Sequence, residues 1–344
     1  MYDLLVFIGR FQPFHRGHLA VVQQALRESR QLLILTGSAR RPRSIRDPFT
    51  AAERADNIRA CLTADEAARV TVAPLVDVLY NDPVWIRNVH RAVFDCISTR
   101  FAGADESTLR IGLVGHRKDQ TSYYLRLFPT WGSVAVANHA GISATDIRRQ
   151  YFQLDVDYAE IDATLPPATQ QQLREFAKTD AYRELLAEQA FVDKYRSQFS
   201  GLRYPPQHVT ADAVVIQSGH VLLVTRGARP GLGQLALPGG FVNESESCFD
   251  AAVRELREET RLKVPEPVLR GSLSARDWFD NPYRSTRGRT FTTAFRFDLR
   301  ADVELPKVKG GDDARTAHWL PLARLEPDAM FEDHYDIIQK MVGI

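Results

Sequence analysis

The stretch GRFQPFHRGH, residues 9–18, follows directly on the apolar run LLVFI at residues 4–8. An apolar run with no polar alternation predicts a strand buried on both faces, as in a parallel sheet. Beyond it, HLAVVQQALRES (18–29) places Leu19, Val22 and Leu26 on one helical face. Strand, polar loop and amphipathic helix together open a βαβ unit. In such sheets ligands bind beyond the carboxyl ends of the strands. The N-terminus of the following helix offers unpaired N–H groups and partial positive charge, which suits phosphate. His15 and His18 can donate to phosphate oxygens, and Gly17 allows close approach to the backbone. Taken alone, H-x-G-H equally suits one structural and one helix-capping histidine.

Working outward, the same style continues to about residue 150. Strands are expected at Leu4–Ile8, Leu32–Thr36, Val70–Ala73, Leu109–Val114 and Val134–Ala137, alternating with helices. The polar helical segments TQQQLREFAK and DAYRELLAEQAFVDKYRSQF follow, and then GLRYPP, a boundary signal. From about residue 203 the pattern changes. ADAVVIQSGHVLLVTRG predicts a hairpin turning at Ser218-Gly219, and a second strand-rich region covers Thr290–Leu299. The expected fold class is α/β: a Rossmann-like parallel sheet over 1–185, a helical linker over 186–202, and a mixed α/β domain over 203–344.

Composition sets the limits. In 344 residues the formal net charge is +1, so nothing suggests general attraction to nucleic acid or acidic membranes. The cysteines Cys61, Cys96 and Cys248 have no metal-type spacing and fit a reducing compartment. No apolar run reaches the roughly 18 residues of a membrane span, and the start does not look like a signal peptide. The expected location is the cytoplasm, and a homo-oligomer is compatible with the sequence.

Two further segments bear on the first domain. In GISATDIRRQ (141–150), Ser143 and Asp146 form an S-x-x-D pair that predicts a capped helix start. Ser143, Thr145 and Arg148 could then face a polyphosphate; without the histidine loop this would be an ordinary surface helix. In NDPVW (81–85), Asp82 can cap a helix and Pro83 suits its first turn, which brings Trp85 near the strand ends. Arg40, Arg41, Arg43 and Arg46 form a basic run that is either a solvated loop or a cover over phosphates.

The second domain carries LPGGFVNESESCFDAAVRELREETRL (237–262). Phe249, Ala252, Val253 and Leu256 make a buried helical stripe. Glu255, Glu258 and Glu259 crowd its flank. Three carboxylates so close repel unless a hard cation such as Mg²⁺ or Mn²⁺ sits among them, or i,i+4 arginines neutralise them.

H-x-G-H after the first strand and I-S-x-T-x-I-R after the last together resemble the nucleotidylyltransferase superfamily. The fuller GRFQPFHRGH, with YNDPVWI (80–86) and GHRKDQTSYYLRLFP (115–129), looks like the archaeal-type nicotinamide mononucleotide (NMN) adenylyltransferases. The resemblance covers roughly residues 1–185. It implies attack of the NMN phosphate on the α-phosphate of ATP, giving NAD and pyrophosphate. His15, His18 and Arg148 would be catalytic. Arg10, Phe11, Gly17, Asp82, Ser143 and Thr145 would contact substrate, and Trp85 would stack on the nicotinamide ring. Because the NMN phosphate is already ionised, no general base is needed.

Gly240, Glu246 and RELREE stand at the spacing of the Nudix box, G-x5-E-x7-R-E-U-x-E-E-x-G-U, and the resemblance extends over 203–344. It implies Glu255, Glu258 and Glu259 as Mg²⁺ ligands (Mn²⁺ as a substitute), Glu258 and Glu259 in catalysis, Arg254 orienting a glutamate such as Glu246, and Gly240 in a tight turn. Arg261 stands where the box closes with glycine, so either a left-handed helix end costs roughly 1 kcal/mol or the helix ends differently. DNPYRSTRGRTFTTAF (280–295) and GGDDA (310–314) look like segments of Nudix proteins that handle ADP-ribose. They suggest Arg287 and Arg289 as substrate contacts and Asp312 and Asp313 as further acids near the metal.

The order of the halves resembles bifunctional NMN adenylyltransferase/Nudix hydrolases. The implied substrates are ATP, NMN and ADP-ribose, the last cut to AMP and ribose 5-phosphate. Two alternatives stay open: the second domain senses ADP-ribose without cutting it, or the first prefers another phosphate monoester such as nicotinic acid mononucleotide.

Overall fold

The computed structural model describes residues 1–115, 127–136, 141–301, 303–311 and 314–343. Ala137, most of the segment 115–129, and Asp312 and Asp313 lie outside the described residues. The chain divides into two compact units, Met1–Leu186 and Ala187–Ile344.

The first unit runs β1 (Tyr2–Gly9), α1 (Arg16–Glu28), β2 (Ser29–Thr36), α2 (Ala51–Ala60), α3 (Ala64–Arg69), β3 (Val70–Pro74), α4 (Asp82–Arg100), β4 (Ile111–Gly115), β5 (Gly132–Ala135), α5 (Ala144–Tyr151), α6 (Tyr158–Asp162), α7 (Pro167–Phe176) and α8 (Asp180–Ser197). Helix α8 starts in this unit and continues into the next, across the stretch expected to be a linker. Among the described residues the sheet order is β3-β2-β1-β4-β5, all parallel. The order reverses direction at β1, so a crevice opens at its carboxyl end. Leu5, Phe7, Leu32 and Ile34 pack against α1 on one face. Leu4, Val6, Leu33 and Leu35 pack against α4 on the other. Burial on both faces explains why these strands carry unbroken apolar runs.

In the second unit β6 (Gln207–Gln217), β7 (His220–Arg226), β8 (Leu235–Ala236), β9 (Gly239–Phe241), α9 (Cys248–Thr260), α10 (Glu266–Gly271), β10 (Leu273–Phe279), β11 (Arg289–Asp298), β12 (Ala314–Pro321) and α11 (His334–Val342) follow in order. The sheet order is β10-β11-β6-β7-β12, with β8 on β7 and β9 on β6. It is mixed, because β11 pairs with β6 in parallel while β6 and β7 form an antiparallel hairpin. That hairpin turns through Ser218 and Gly219, both at positive φ (47° and 73°), as a primed turn requires. Helix α9 buries Ala252, Val253 and Leu256 against this sheet. Among the described residues no helix is long and apolar enough to cross a membrane.

Candidate active sites

In the first unit, the loop after β1 builds the site. His15 is the N-cap of α1. Its Nδ1 accepts from His18 N, and His18 Nδ1 accepts from His15 N, each at 3.3 Å. The two rings stack with centroids 3.6 Å apart. Because both Nδ1 atoms accept backbone N–H groups, each neutral ring carries its proton on Nε2. Two Nε2–H donors are thus held side by side at the start of a helix. The cap uses only Nδ1 of each ring, so the capping reading and the phosphate reading of these histidines are geometrically compatible. Gly17 is the second residue of α1.

Arg148 joins this loop from α5. Its Nη1 donates to Gln12 O at 2.5 Å and to Ala144 O at 3.0 Å, and its Nη2 donates to Thr145 Oγ1 at 3.3 Å. Burial, with Arg10 nearby, lowers the Arg148 pKa to about 10, so it stays a cation at neutral pH. Arg10 pairs with Asp47 at 3.6 Å. Gln12 is clasped to the backbone of Phe49 in both directions, by Nε2 to Phe49 O at 2.8 Å and by Phe49 N to Oε1 at 3.0 Å.

Several sequence expectations need correction. Phe11 is 2% exposed and packs edge-on to His18 at 4.9 Å, so it supports the histidine from below and offers no face to a ligand. Ser143 is the N-cap of α5 but makes no side-chain cap bond, and Asp146 instead pairs with Arg149 at 3.0 Å. The cap of α4 is Asn81, whose side chain accepts from Val84 N; Asp82 is the first helical residue and is exposed. Of the basic run, Arg43 forks onto Glu53 at 2.7 and 2.8 Å and lies over Phe176, a structural role. Trp85 is half-buried in the first turn of α4.

The polar residues that hold these loops were not singled out in the sequence. Arg54 is 2% exposed and donates to the carbonyls of Arg10, Gly37, Ser38 and Thr50. Asp77 accepts from Ser38 and Trp85. Neither follows a motif, so only tertiary structure reveals them.

In the second unit, Thr210, Asp212, Gly239, Gly240, Glu255 and Glu259 line a cavity of about 250 Å³ together with Arg226, Arg284, Arg287, Glu332, His334 and other residues. Glu259 is 5% exposed, and its Oε2 accepts from Gly239 N at 3.0 Å. A Cβ on Gly240 would lie 2.4 Å from Glu255 Oε1, and one on Gly239 would lie 2.3 Å from Asp212 Oδ1. Gly240 lies in strand β9 and is required for room beside a carboxylate, a correction to the expected tight turn. Arg254 forks onto Glu246 at 2.6 and 3.0 Å, and its Nη1 reaches Glu255 at 2.8 Å and Glu258 at 3.0 Å. These bonds, that to Glu246 foremost, raise its pKa. Glu258 is about half exposed and is not part of the cavity wall.

Hard oxygen donors beside a glycine cradle fit a divalent cation. Among the described residues no group of three acidic or histidine side chains stands together as a closed ligand set. In this arrangement the charge of Glu255 and Glu258 is balanced by Arg254.

Arg287 lies over Phe241 at 5.1 Å on the cavity rim. Arg289 is not in the cavity wall; it covers Phe291 at 4.6 Å and donates to Asp280 O. Arg284 forks onto Asp333 with both side chains buried, which ties the loop before β11 to the start of α11.

Of the two helix ends that the sequence leaves open, α9 takes the left-handed one: Arg261 adopts φ 52°, ψ 25°. The carbonyls of Glu259 and Thr260 accept from Gly311 N and Lys309 N, so neighbouring backbone secures the strained end. Arg261→Gly is expected to relieve about 1 kcal/mol of strain, raising the melting midpoint of this half by about 2–4 °C in calorimetry. A lower midpoint would show that the arginine side chain, packed on Gly311, outweighs the strain.

His334 Nδ1 accepts from Leu237 N at 2.9 Å in a buried site, and burial lowers the His334 pKa below its ordinary value. The unfolded chain then binds a proton that the folded chain refuses. Stability is therefore lost as pH falls below the unfolded value of about 6.5, by up to about 1.4 kcal/mol per pH unit. His334→Gln keeps an acceptor for Leu237 N. Urea titrations between pH 5 and 7 are expected to show a flatter pH slope for this variant than for the parent.

Comparison with known proteins places both halves in families. Residues 6–150 match the family Cytidylyltransferase-like, and residues 206–341 match the NUDIX domain. The class is thus a nucleotidyl-transfer domain followed by a Nudix domain. A solved structure from Francisella tularensis, described as a bifunctional NMN adenylyltransferase/ADP ribose pyrophosphatase complexed with AMP and Mn ion, is similar over 100% of this chain and 99% of its own, with TM-score 0.90 and 32% identity. The nicotinamide/nicotinic acid mononucleotide adenylyltransferase of Acinetobacter baylyi is 40% identical over 200 residues, 58% of this chain and 96% of that protein. The ADP-ribose pyrophosphatase of Methanocaldococcus jannaschii is 35% identical over 131 residues, 38% of this chain and 70% of that protein. The chain belongs to the family of bifunctional NMN adenylyltransferase/ADP-ribose pyrophosphatases.

Proposed function

We propose that the first half joins ATP and NMN into NAD, releasing pyrophosphate, and that the second half hydrolyses ADP-ribose to AMP and ribose 5-phosphate. The convergence of the His15–His18 pair and Arg148 on one loop, with Arg148 bonded to Gln12 O, supports the first assignment. In that reaction an oxygen of the NMN phosphate bonds to the α-phosphorus of ATP as the bond to the leaving pyrophosphate breaks. The two Nε2–H groups and the Arg148 and Arg10 guanidiniums hold the charge that spreads over the phosphate oxygens. Trp85 takes the nicotinamide ring against its face. Ser143 and Thr145 stand at the start of α5 as further phosphate contacts.

In the second half, Glu255 and Glu259 on the cavity wall would hold a divalent cation, with Mg²⁺ the proposed ion, and Glu258 would complete the set once it exchanges Arg254 for the cation. When bound, it neutralises a pyrophosphate and lowers the pKa of a water. Arg254 keeps Glu246 and the helix carboxylates aligned. Arg287 grips the nucleotide at the cavity rim beside Phe241.

The test offers purified protein ADP-ribose, NAD, NADH, diadenosine polyphosphates and nucleotide sugars with Mg²⁺ or Mn²⁺, separating products by chromatography. In parallel, ATP is offered with NMN or nicotinic acid mononucleotide. AMP and ribose 5-phosphate from ADP-ribose, and NAD from NMN, are the expected products. Saturable binding of ADP-ribose without turnover would make the second half a sensor.

A further inference from the structure

Asp77 lies between β3 and α4, beyond the carboxyl end of the sheet, and its carboxylate collects three donors. Trp85 Nε1–H donates to Oδ1 at 2.9 Å, while Ser38 N and Ser38 Oγ donate to Oδ2 at 2.7 and 3.2 Å. The geometry is specific. Ser38 sits at φ 54°, a left-handed conformation that a serine adopts at a cost, and its N–H points at Asp77. Gly37 beside it has its Cβ position 3.1 Å from Asp77 Oδ2, so a side chain there would crowd the carboxylate. Arg54 holds the same loop from the opposite side, through the carbonyls of Gly37 and Ser38, and also holds Arg10 O. A continuous polar chain thus runs from Trp85 through Asp77, Ser38 and Arg54 to the backbone of Arg10. Asn88 Nδ2 donates to Val76 O at 3.2 Å and fixes the Asp77 loop onto α4 a second time.

We propose that Asp77 is a positioning residue for the acceptor nucleotide: it locks the plane of Trp85 so that the indole face is presented to the pyridinium ring. This rests on Trp85 being the nicotinamide platform. An indole fixed by its N–H loses no rotamer freedom when the ligand arrives, which favours binding by preorganisation. An N–H that donates to a carboxylate also enriches the ring in electron density, which strengthens its attraction for a cation.

The test compares KM for NMN and for ATP in the full-length protein and in Asp77→Ala, Trp85→Phe, the double variant and Trp85→Ala. Asp77→Ala, which removes both acceptor oxygens, and Trp85→Phe, which keeps a ring but loses the donor, are each expected to raise KM for NMN about tenfold. The double variant is expected to be no worse than either single, the coupling expected of a broken shared bond. KM for ATP is expected to stay within about twofold. Multiplying effects in the double variant, or an equal rise in KM for ATP, would overturn the proposal and leave Asp77 as general loop support. An unchanged KM for NMN in Trp85→Ala would instead refute the platform itself, a separate failure. If Asp77→Ala does not fold, Trp85→Phe decides: a KM for NMN equal to that of the parent overturns the proposal.

Discussion

Replacing Glu259 by glutamine is expected to lower ADP-ribose hydrolysis about 10³-fold in kcat, on the order of 4 kcal/mol of barrier, while NAD synthesis stays within about twofold. Glutamine has the same shape, and its carbonyl can still accept from Gly239 N, so the packing of α9 on β9 is kept. What is lost is the negative charge, at a side chain only 5% exposed and facing the cavity. Separate assays of the two reactions on one preparation measure this directly. A loss of less than tenfold would mean that Glu255 and Glu258 suffice without it. A parallel loss of NAD synthesis would mean that the variant has damaged the whole chain.

His18→Ala is expected to reduce NAD formation about 10²–10³-fold, with ADP-ribose hydrolysis untouched. Two consequences of the substitution must be separated. The alanine removes the Nε2 donor, and it also removes the Nδ1 acceptor that satisfies His15 N. The second loss weakens the start of α1 by about 1 kcal/mol. His18→Gln separates them, because glutamine at this position can accept from the N-cap backbone as in a capping box. It is expected to restore the melting temperature without restoring the rate. Equal recovery of both would make His18 a cap residue only.

The fold was legible where one physical rule decides the residue types. Strands buried on both faces are apolar along their buried length, so β1 and β2 stood out as runs. The stripe of α9 stood out because a single face is buried. Arg261 was legible as the end of that helix because its place in the box normally belongs to glycine. Other parts obey no local rule. Strand β10 is a sheet edge whose residues up to Trp278 are exposed, so LSARDW carries no alternating pattern. Asp212, Arg284 and the pair Glu332 and His334 are far apart in sequence and meet only because β6, the loop before β11 and the start of α11 are assembled around one cavity. Their types alone resemble ordinary surface residues.

The candidate sites were legible to a similar depth. His15, His18, Arg148, Glu255 and Glu259 come from motifs, and each lies in the loop or cavity that its motif suggests. Phe11 was misjudged because a residue inside a functional motif can serve it from beneath, as packing under His18. Gly240 was judged for the wrong reason, since turn and close approach both ask for glycine and sequence does not distinguish them. Asp77 and Arg54 were missed because a buried polar residue is marked by its partners, which are tertiary.

The most direct test of two independent active sites in one chain is a single incubation of ATP, NMN and ADP-ribose with Mg²⁺, run with the parent protein, His18→Ala and Glu259→Gln, and followed by chromatography. The parent is expected to form NAD and pyrophosphate together with AMP and ribose 5-phosphate. His18→Ala is expected to lose only the first pair, and Glu259→Gln only the second. Loss of both pairs in either variant, or no ribose 5-phosphate from the parent, would contradict the assignment of one activity to each half.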